Sequence, residues 1–201
     1  MTKDNLPVYN LTLDDNDMNL GCTKISLVEQ PAIDEMFLAF ESHTKLKTMF
    51  TDESKHIVTG IAMRADYPIY RNQDGEEFYV VFSKETVEKM LDKFMREQRT
   101  FDISLNHNQD VTDCYLVESF LINKERGICP KEFLDVEDGS WVISVKIDNP
   151  DVWNEVVNSD VKGFSIETQM IANAFHKDKK KSAKELGITE TQLDKLLSIF
   201  K

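Results

Sequence analysis

The chain has 201 residues, 41% of them hydrophobic, and a formal net charge of −12; that length supports one sizeable core and a small appendage, while the acidic balance argues against a phosphate-binding surface, which needs clustered Lys and Arg. Its 3 cysteines, Cys22, Cys114 and Cys129, are widely spaced, which suits neither a disulfide framework nor a zinc site, so they read as reduced thiols in a cytosolic protein. No basic leader precedes an apolar core, and no run approaches the ~20 apolar residues that span a bilayer, so the expected protein is soluble and unexported, with neither nucleic acid nor membrane as partner.

In chain order, Leu6 to Leu13 alternates apolar and polar residues before the acidic turn Asp14-Asp15-Asn16-Asp17, a strand followed by a loop. Lys24 to Ile33 is extended up to Pro31, which disfavours helix at the residue before it. Glu35 to Lys55 is polar with scattered Phe and Met and reads as a linker. His56 to Arg64 is β-branched and half-apolar, a strand ended by Tyr67-Pro68; a polar loop from Arg71 to Gly75 leads to a second strand, Glu77 to Phe82. Ser83 then caps a helix whose apolar stripe is Val87, Met90, Leu91, Phe94 and Met95.

The run Phe101 to His107 alternates in its middle and stops at a polar turn, Asn108-Gln109-Asp110; with the strand Asp113 to Ile122 it predicts a hairpin. Lys124 to Gly139 reads as loop, and Ser140 to Ile147 alternates at period two as a further strand. Asn149 caps and Pro150 starts a short helix with Val152, Trp153, Val156 and Val157 on one face, which delivers the chain to a strand from Gly163 towards Phe175. After the basic run His176 to Lys181, Thr189 and Gln192 have capping-box spacing ahead of a stripe of Leu193, Leu196, Leu197 and Phe200. The predicted fold is therefore α+β, a mainly antiparallel β-barrel or strongly curved sheet with two packed helices and a C-terminal helical tail. Its expected units are an N-terminal strand and extended segment at 1–53, the barrel at 54–176, and a basic linker with an amphipathic helix at 177–201.

The stretch Asp160-Val161-Lys162-Gly163-Phe164-Ser165-Ile166-Glu167-Thr168 sets a glycine two residues before a serine on a strand, which makes Ser165 a candidate nucleophile. A serine hydroxyl is a poor nucleophile until an imidazole takes its proton. Of the 4 histidines, His43, His56, His107 and His176, His107 closes a strand at a turn and is the one to pair with Ser165. A strand serine with a histidine upstream occurs in many inert proteins, so the pattern by itself favours a surface serine and a turn histidine over a catalytic pair.

At these residues the chain resembles a family. Ser104-Leu105-Asn106-His107, the strand Leu116-Val117-Glu118-Ser119-Phe120 and Gly163-Phe164-Ser165-Ile166-Glu167 look like the tailed-phage prohead proteases, especially the XkdF-type phage serine proteases. The opening Ile25-Ser26-Leu27-Val28-Glu29-Gln30-Pro31-Ala32-Ile33 is similar to the SLV-x-x-PAI start of that group, so the resemblance runs from about Leu6 to about Phe175. It implies a capsid-maturation endopeptidase, distantly related to herpesvirus assemblins, with a β-barrel surrounded by helices. Ser165 would match the nucleophile and His107 the general base, with no metal or organic cofactor. The implied partners are phage scaffold and major capsid proteins as substrates, together with self-association, since assemblins dimerise. The implied location is the host bacterial cytoplasm, inside the procapsid, with retention in the virion allowed.

The third member of the site stays open. Assemblins use a second histidine after the serine, and here that position falls to His176 beside the lysine run, a place poorly suited to orienting a base. A hairpin turning at Asn108 to Val111 brings Asp113 nearest to His107, whereas Glu118 holds the acid position of the strand motif that resembles the family; each also reads as a solvated strand acid. Glu167 shares a face with Ser165 by strand alternation and reads as a substrate-side charge or a solvent-facing residue rather than an orienter. With no arginine between Gly127 and Lys201, oxyanion donors are expected from backbone N–H groups. Two other functions fit the text: a catalytically inactive virion structural protein of the same fold, and an adaptor that binds peptides at an exposed strand edge.

Overall fold

Trp141-Val142-Ile143-Ser144-Val145-Lys146-Ile147 carries an apolar residue at nearly every position, and the computed structural model buries six of the seven. A strand covered on both faces belongs at the centre of its layer. The structure describes residues 6–11, 21–29, 31, 55–73, 75–158, 160–169 and 181–182. In chain order its strands are β1 (Pro7–Leu11), β2 (Gly21–Val28), β3 (Ile57–Met63), β4 (Ile69–Gln73), β5 (Glu76–Phe82), β6 (Ile103–Leu105), β7 (Gln109–Asp110), β8 (Cys114–Leu121), β9 (Trp141–Ile147), β10 (Gly163–Gln169) and β11 (Lys181–Ser182). The helices are α1 (Lys84–Arg96) and α2 (Pro150–Val157).

The strands form three sheets, ordered β11-β1-β5-β4, β10-β2-β6-β7 and β3-β9-β8. The fold is α+β, as the element pattern implied, but the expected closed barrel is not formed among the described residues: no ladder joins the three sheets into a ring. Nor is the pairing uniformly antiparallel, since β1 runs parallel to β5 and β2 parallel to β6. Each parallel pair needs a long crossover, and α1 lies on the path between β5 and β6. At the seam where a barrel would close, β10 packs beside β3 with side chains rather than ladder hydrogen bonds between them.

Two local expectations are corrected. The Arg71 to Gly75 stretch is not all loop: Ile69–Gln73 forms β4, an edge strand held by its antiparallel ladder to β5. Its polar sequence lacks the apolar alternation of a strand because pairing to β5 satisfies the backbone without it. The hairpin expected between the His107 run and β8 is also absent. Instead β6 turns back onto the two-residue β7, and β8 pairs with β9. Asp113, at φ 59°, turns the chain out of one sheet and into the other before Cys114.

Helix α1 begins where Ser83 accepts the N–H of Thr86 at 3.2 Å, satisfying one of the free donors of the first turn. Val87, Met90 and Phe94 are fully buried against β2 and β9, while Leu91 is half-buried and Met95 is 40% exposed, so the buried stripe is narrower than the sequence pattern. The Phe94 ring meets Trp141 edge-on at 5.4 Å. Phe94→Ala should therefore cost about 3–5 kcal/mol, seen in urea denaturation as a lower midpoint at unchanged slope. An unchanged midpoint would mean that α1 does not clamp the sheets. Asn149 caps α2 by accepting from the N–H groups of Asp151 and Val152 at 3.1 and 3.2 Å. The C-terminal amphipathic helix, His43 and His176 lie outside the described residues.

Candidate active site

Gly163 to Gln169 pairs antiparallel with β2, and β2 pairs parallel with β6, so one row of cross-strand partners runs Ser165, Ser26, Ser104 and then Asp110 on β7. Partners in a row point to the same side of a sheet, so three hydroxyls share a face. They are sheltered: Ser26 is 0%, Ser104 2% and Ser165 8% exposed. The opposite face carries Phe164, Ile25, Leu27, Ile103 and Leu105, all buried in the core. The alternation of β10 thus sets the serine on one side of the sheet and the core on the other.

His107 reaches this row from the turn after β6. Asn106 and His107 both take left-handed backbone, at φ 48° and 59°, a conformation that costs a non-glycine residue about 1–3 kcal/mol and persists only where surroundings hold it. Here β2 supplies the hold. Asn106 N–H donates to the Leu27 carbonyl at 2.8 Å, the Asn106 side-chain oxygen accepts from Glu29 N–H at 3.0 Å, and His107 N–H donates to Ser26 Oγ at 2.9 Å. Ser26 is the direct cross-strand neighbour of Ser165, which lies ~5 Å from it across the ladder. The strained turn is fastened beside the candidate nucleophile.

The imidazole has a carboxylate partner. His107 Nδ1 lies 3.4 Å from Glu167 Oε1, and the same oxygen accepts a short hydrogen bond from Ser104 Oγ. Glu167 stands two residues after Ser165 on the same face, and β2 bulges there: the register jumps between Glu167 and Thr168, leaving Thr23 unpaired in the ladder with its hydroxyl donating to the Glu167 carbonyl at 3.1 Å. Such a bulge re-aims neighbouring side chains. Across the ladder from Glu167, Lys24 is ion-paired with Asp110, which raises the lysine pKa chiefly through that hydrogen bond. Glu167 is thereby left to Ser104 and His107.

The other sequence candidates lie elsewhere. The chain turns at residues 106–108 rather than 108–111, so Asp113 is not across from His107; its carboxylate accepts from the Thr112 hydroxyl at 3.3 Å and its carbonyl receives the N–H of Asp148 at 2.8 Å. Glu118 belongs to the β3-β9-β8 sheet, where it accepts from Ser144 Oγ. His56 stacks on Trp153 at 4.2 Å, away from the serine row. Among the described residues, no hydrogen bond joins Ser165 Oγ to the His107 ring, and the serine hydroxyl has no partner. Catalytic hydrogen bonds of this kind often tighten only when substrate is bound. Sequence reasoning passed over Glu167 as an orienter, although strand alternation had already set it on the face of Ser165.

Two of the cysteines, Cys22 and Cys114, are not rival nucleophiles. Burial pushes the thiol of Cys22 up to about 12 and that of Cys114 up to about 11, so both stay protonated at neutral pH, and the thiolate is the reactive form. Brief treatment of the native protein with iodoacetamide should alkylate half-buried Cys129 well ahead of the other two, as read by peptide mass spectrometry. Equal labelling of all three would contradict the packing around β2 and β8. Among the described residues, no group of three or more His, Cys, Asp and Glu side chains gathers as metal ligands would.

A serine on a sheet, an imidazole fastened above the same face and a carboxylate on the imidazole's Nδ1 make up the residue set of a serine hydrolase. Residues 45–174 match the family described as "Putative phage serine protease XkdF", and the chain belongs to that family. No curated protein and no solved structure matches it. Strand β2, which lies before the matched range, nevertheless separates Ser165 from Ser104 and holds the His107 turn. Among the described residues, no helix is long and apolar enough to cross a membrane.

Proposed function

We propose that the protein is a serine endopeptidase that cleaves scaffold and capsid-protein segments during phage procapsid maturation. The observation that carries this reading is the His107 to Glu167 contact at 3.4 Å on the sheet face that bears Ser165. A carboxylate at Nδ1 fixes the tautomer that leaves Nε2 as the proton acceptor. His107 then takes the Ser165 proton as the hydroxyl attacks a peptide carbonyl, and Glu167 stabilises the imidazolium that forms. The protonated ring delivers that proton to the leaving amine, and water resolves the acyl-enzyme with the same base. Family membership supports a phage protease, and the procapsid location follows from what that class of enzyme acts on. The net charge of −12 favours basic substrate segments by electrostatic steering.

A second reading is a virion structural protein that keeps the fold without the activity. It is favoured by the absence, among the described residues, of a hydrogen bond between Ser165 and His107. The two are separated by incubating the wild type with the capsid and scaffold proteins of the same phage and reading peptide products by mass spectrometry. Discrete cuts support the protease; intact partners throughout support the structural protein.

A further inference from the structure

Ser104 is the middle residue of β6, paired on one side with Ser26 of β2 and on the other with Asp110 of β7. Its neighbours Ile103 and Leu105 are buried in the core on the opposite face. A residue held at both edges and anchored from behind has a fixed side-chain direction. Its hydroxyl, on a residue that is 2% exposed, donates to Glu167 Oε1, the oxygen that lies 3.4 Å from His107 Nδ1. Ser104 and His107 belong to one short segment, so β6 and the turn after it bring two donors to a single carboxylate oxygen.

The glutamate needs such a hold. Its side chain is long and rotatable and keeps 28% exposure, and its contact to the imidazole, at 3.4 Å, is long for a hydrogen bond. A contact of that length orients an imidazole only where the carboxylate itself is kept from swinging away, and ordering a free glutamate has an entropic cost. A hydroxyl bonded to a charged oxygen makes one of the stronger hydrogen bonds, and here the donor comes from the sheltered floor of the sheet.

We propose that Ser104 is a positioning residue: its hydroxyl locks the Glu167 carboxylate in the rotamer that faces His107 Nδ1, and through it holds the imidazole in the Nδ1-protonated tautomer. The role rests on the protease reading for the reaction that it serves, and on the contacts of the three side chains for its geometry. Ser144 supplies the matched control. It is fully buried and donates to Glu118 in the same way, but in the β3-β9-β8 sheet.

Kinetics are read on a peptide that spans a cut site of the wild-type enzyme. Ser104→Ala should lower kcat roughly 10–100-fold with KM nearly unchanged, the size of one hydrogen bond to a charged group. Ser104→Thr keeps the hydroxyl on a residue suited to a strand and should recover most of that loss. In a Glu167→Gln protein, Ser104→Ala should cost no more than about twofold further, because Ser104 acts through that carboxylate. Ser144→Ala should leave kcat within about twofold. If Ser104→Ala fails to fold, Ser104→Cys keeps the volume with a weaker donor and should lose several-fold. An unchanged kcat, a full further loss in the Glu167→Gln protein, or an equal loss in Ser144→Ala overturns the proposal.

Long-range proton–nitrogen NMR spectra of the ring in mildly alkaline buffer give a readout that needs no cleavage. The wild type and Ser144→Ala should show His107 protonated at Nδ1, and the Ser104 variant a shift towards the Nε2-protonated form. If the wild type cuts nothing, the protease reading falls and the tautomer decides: a shift in the Ser104 variant keeps the positioning role, and the same tautomer in both proteins removes it. Cleavage by the wild type, with kcat and tautomer unchanged in the Ser104 variant, leaves the protease and removes the role of Ser104.

Discussion

On the proposed mechanism, Ser165→Ala is expected to abolish cleavage of capsid and scaffold substrates, lowering kcat by roughly 10⁴–10⁶-fold, as loss of an activated nucleophile does in serine hydrolases. His107→Ala should lose a comparable amount, and the double variant little more, because nucleophile and base act as one unit. The hydroxyl of Ser165 lies against the β2 ladder and has no hydrogen-bond partner among the described residues, so its removal leaves no polar group stranded. Thermal unfolding of Ser165→Ala should match the wild type. Cleavage that survives in Ser165→Ala at the wild-type rate would eliminate the mechanism outright.

Glu167→Gln carries the second large effect. An amide at this place keeps the shape of the site but no longer selects the tautomer with Nδ1 protonated, nor neutralises the imidazolium; the comparable change in a well-studied triad costs about 10⁴ in rate. The contact here is longer, 3.4 Å, so the expected fall in kcat is roughly 10²–10⁴-fold with KM nearly unchanged. Asp113→Asn and Glu118→Gln should leave kcat within about twofold, since their carboxylates bond to Thr112 and Ser144 rather than to the imidazole. Steady-state kinetics of the three variants on one peptide substrate decide the matter. Loss of kcat in Glu118→Gln or Asp113→Asn with Glu167→Gln unaffected would transfer the orienting role.

The strand patterns of β1, β3, β5, β9 and β10 and the caps Ser83 and Asn149 are legible in the text because each depends on residues within a few positions of itself. Strand β4 is not, because Ile69–Gln73 is a strand only by virtue of its ladder to β5. The partner of β8 is likewise hidden: both β7 and β9 are reachable from Asp113, and burial of β9 on both faces decides for β9.

The site divides along the same line. Local pattern by itself singles out Ser165 as a strand serine and His107 as a turn histidine, and the period of two sets Glu167 on the serine's face. What only the tertiary structure decides is which acid meets the imidazole and which acids are held elsewhere. Glu167 meets His107 because β2 inserts between β10 and β6 and ties down the turn through Leu27, Ser26 and Glu29. Glu118 meets Ser144 instead because β8 pairs with β9 in another sheet. Both depend on contacts between residues far apart in the chain, and no local propensity or spacing encodes which distant strands become neighbours.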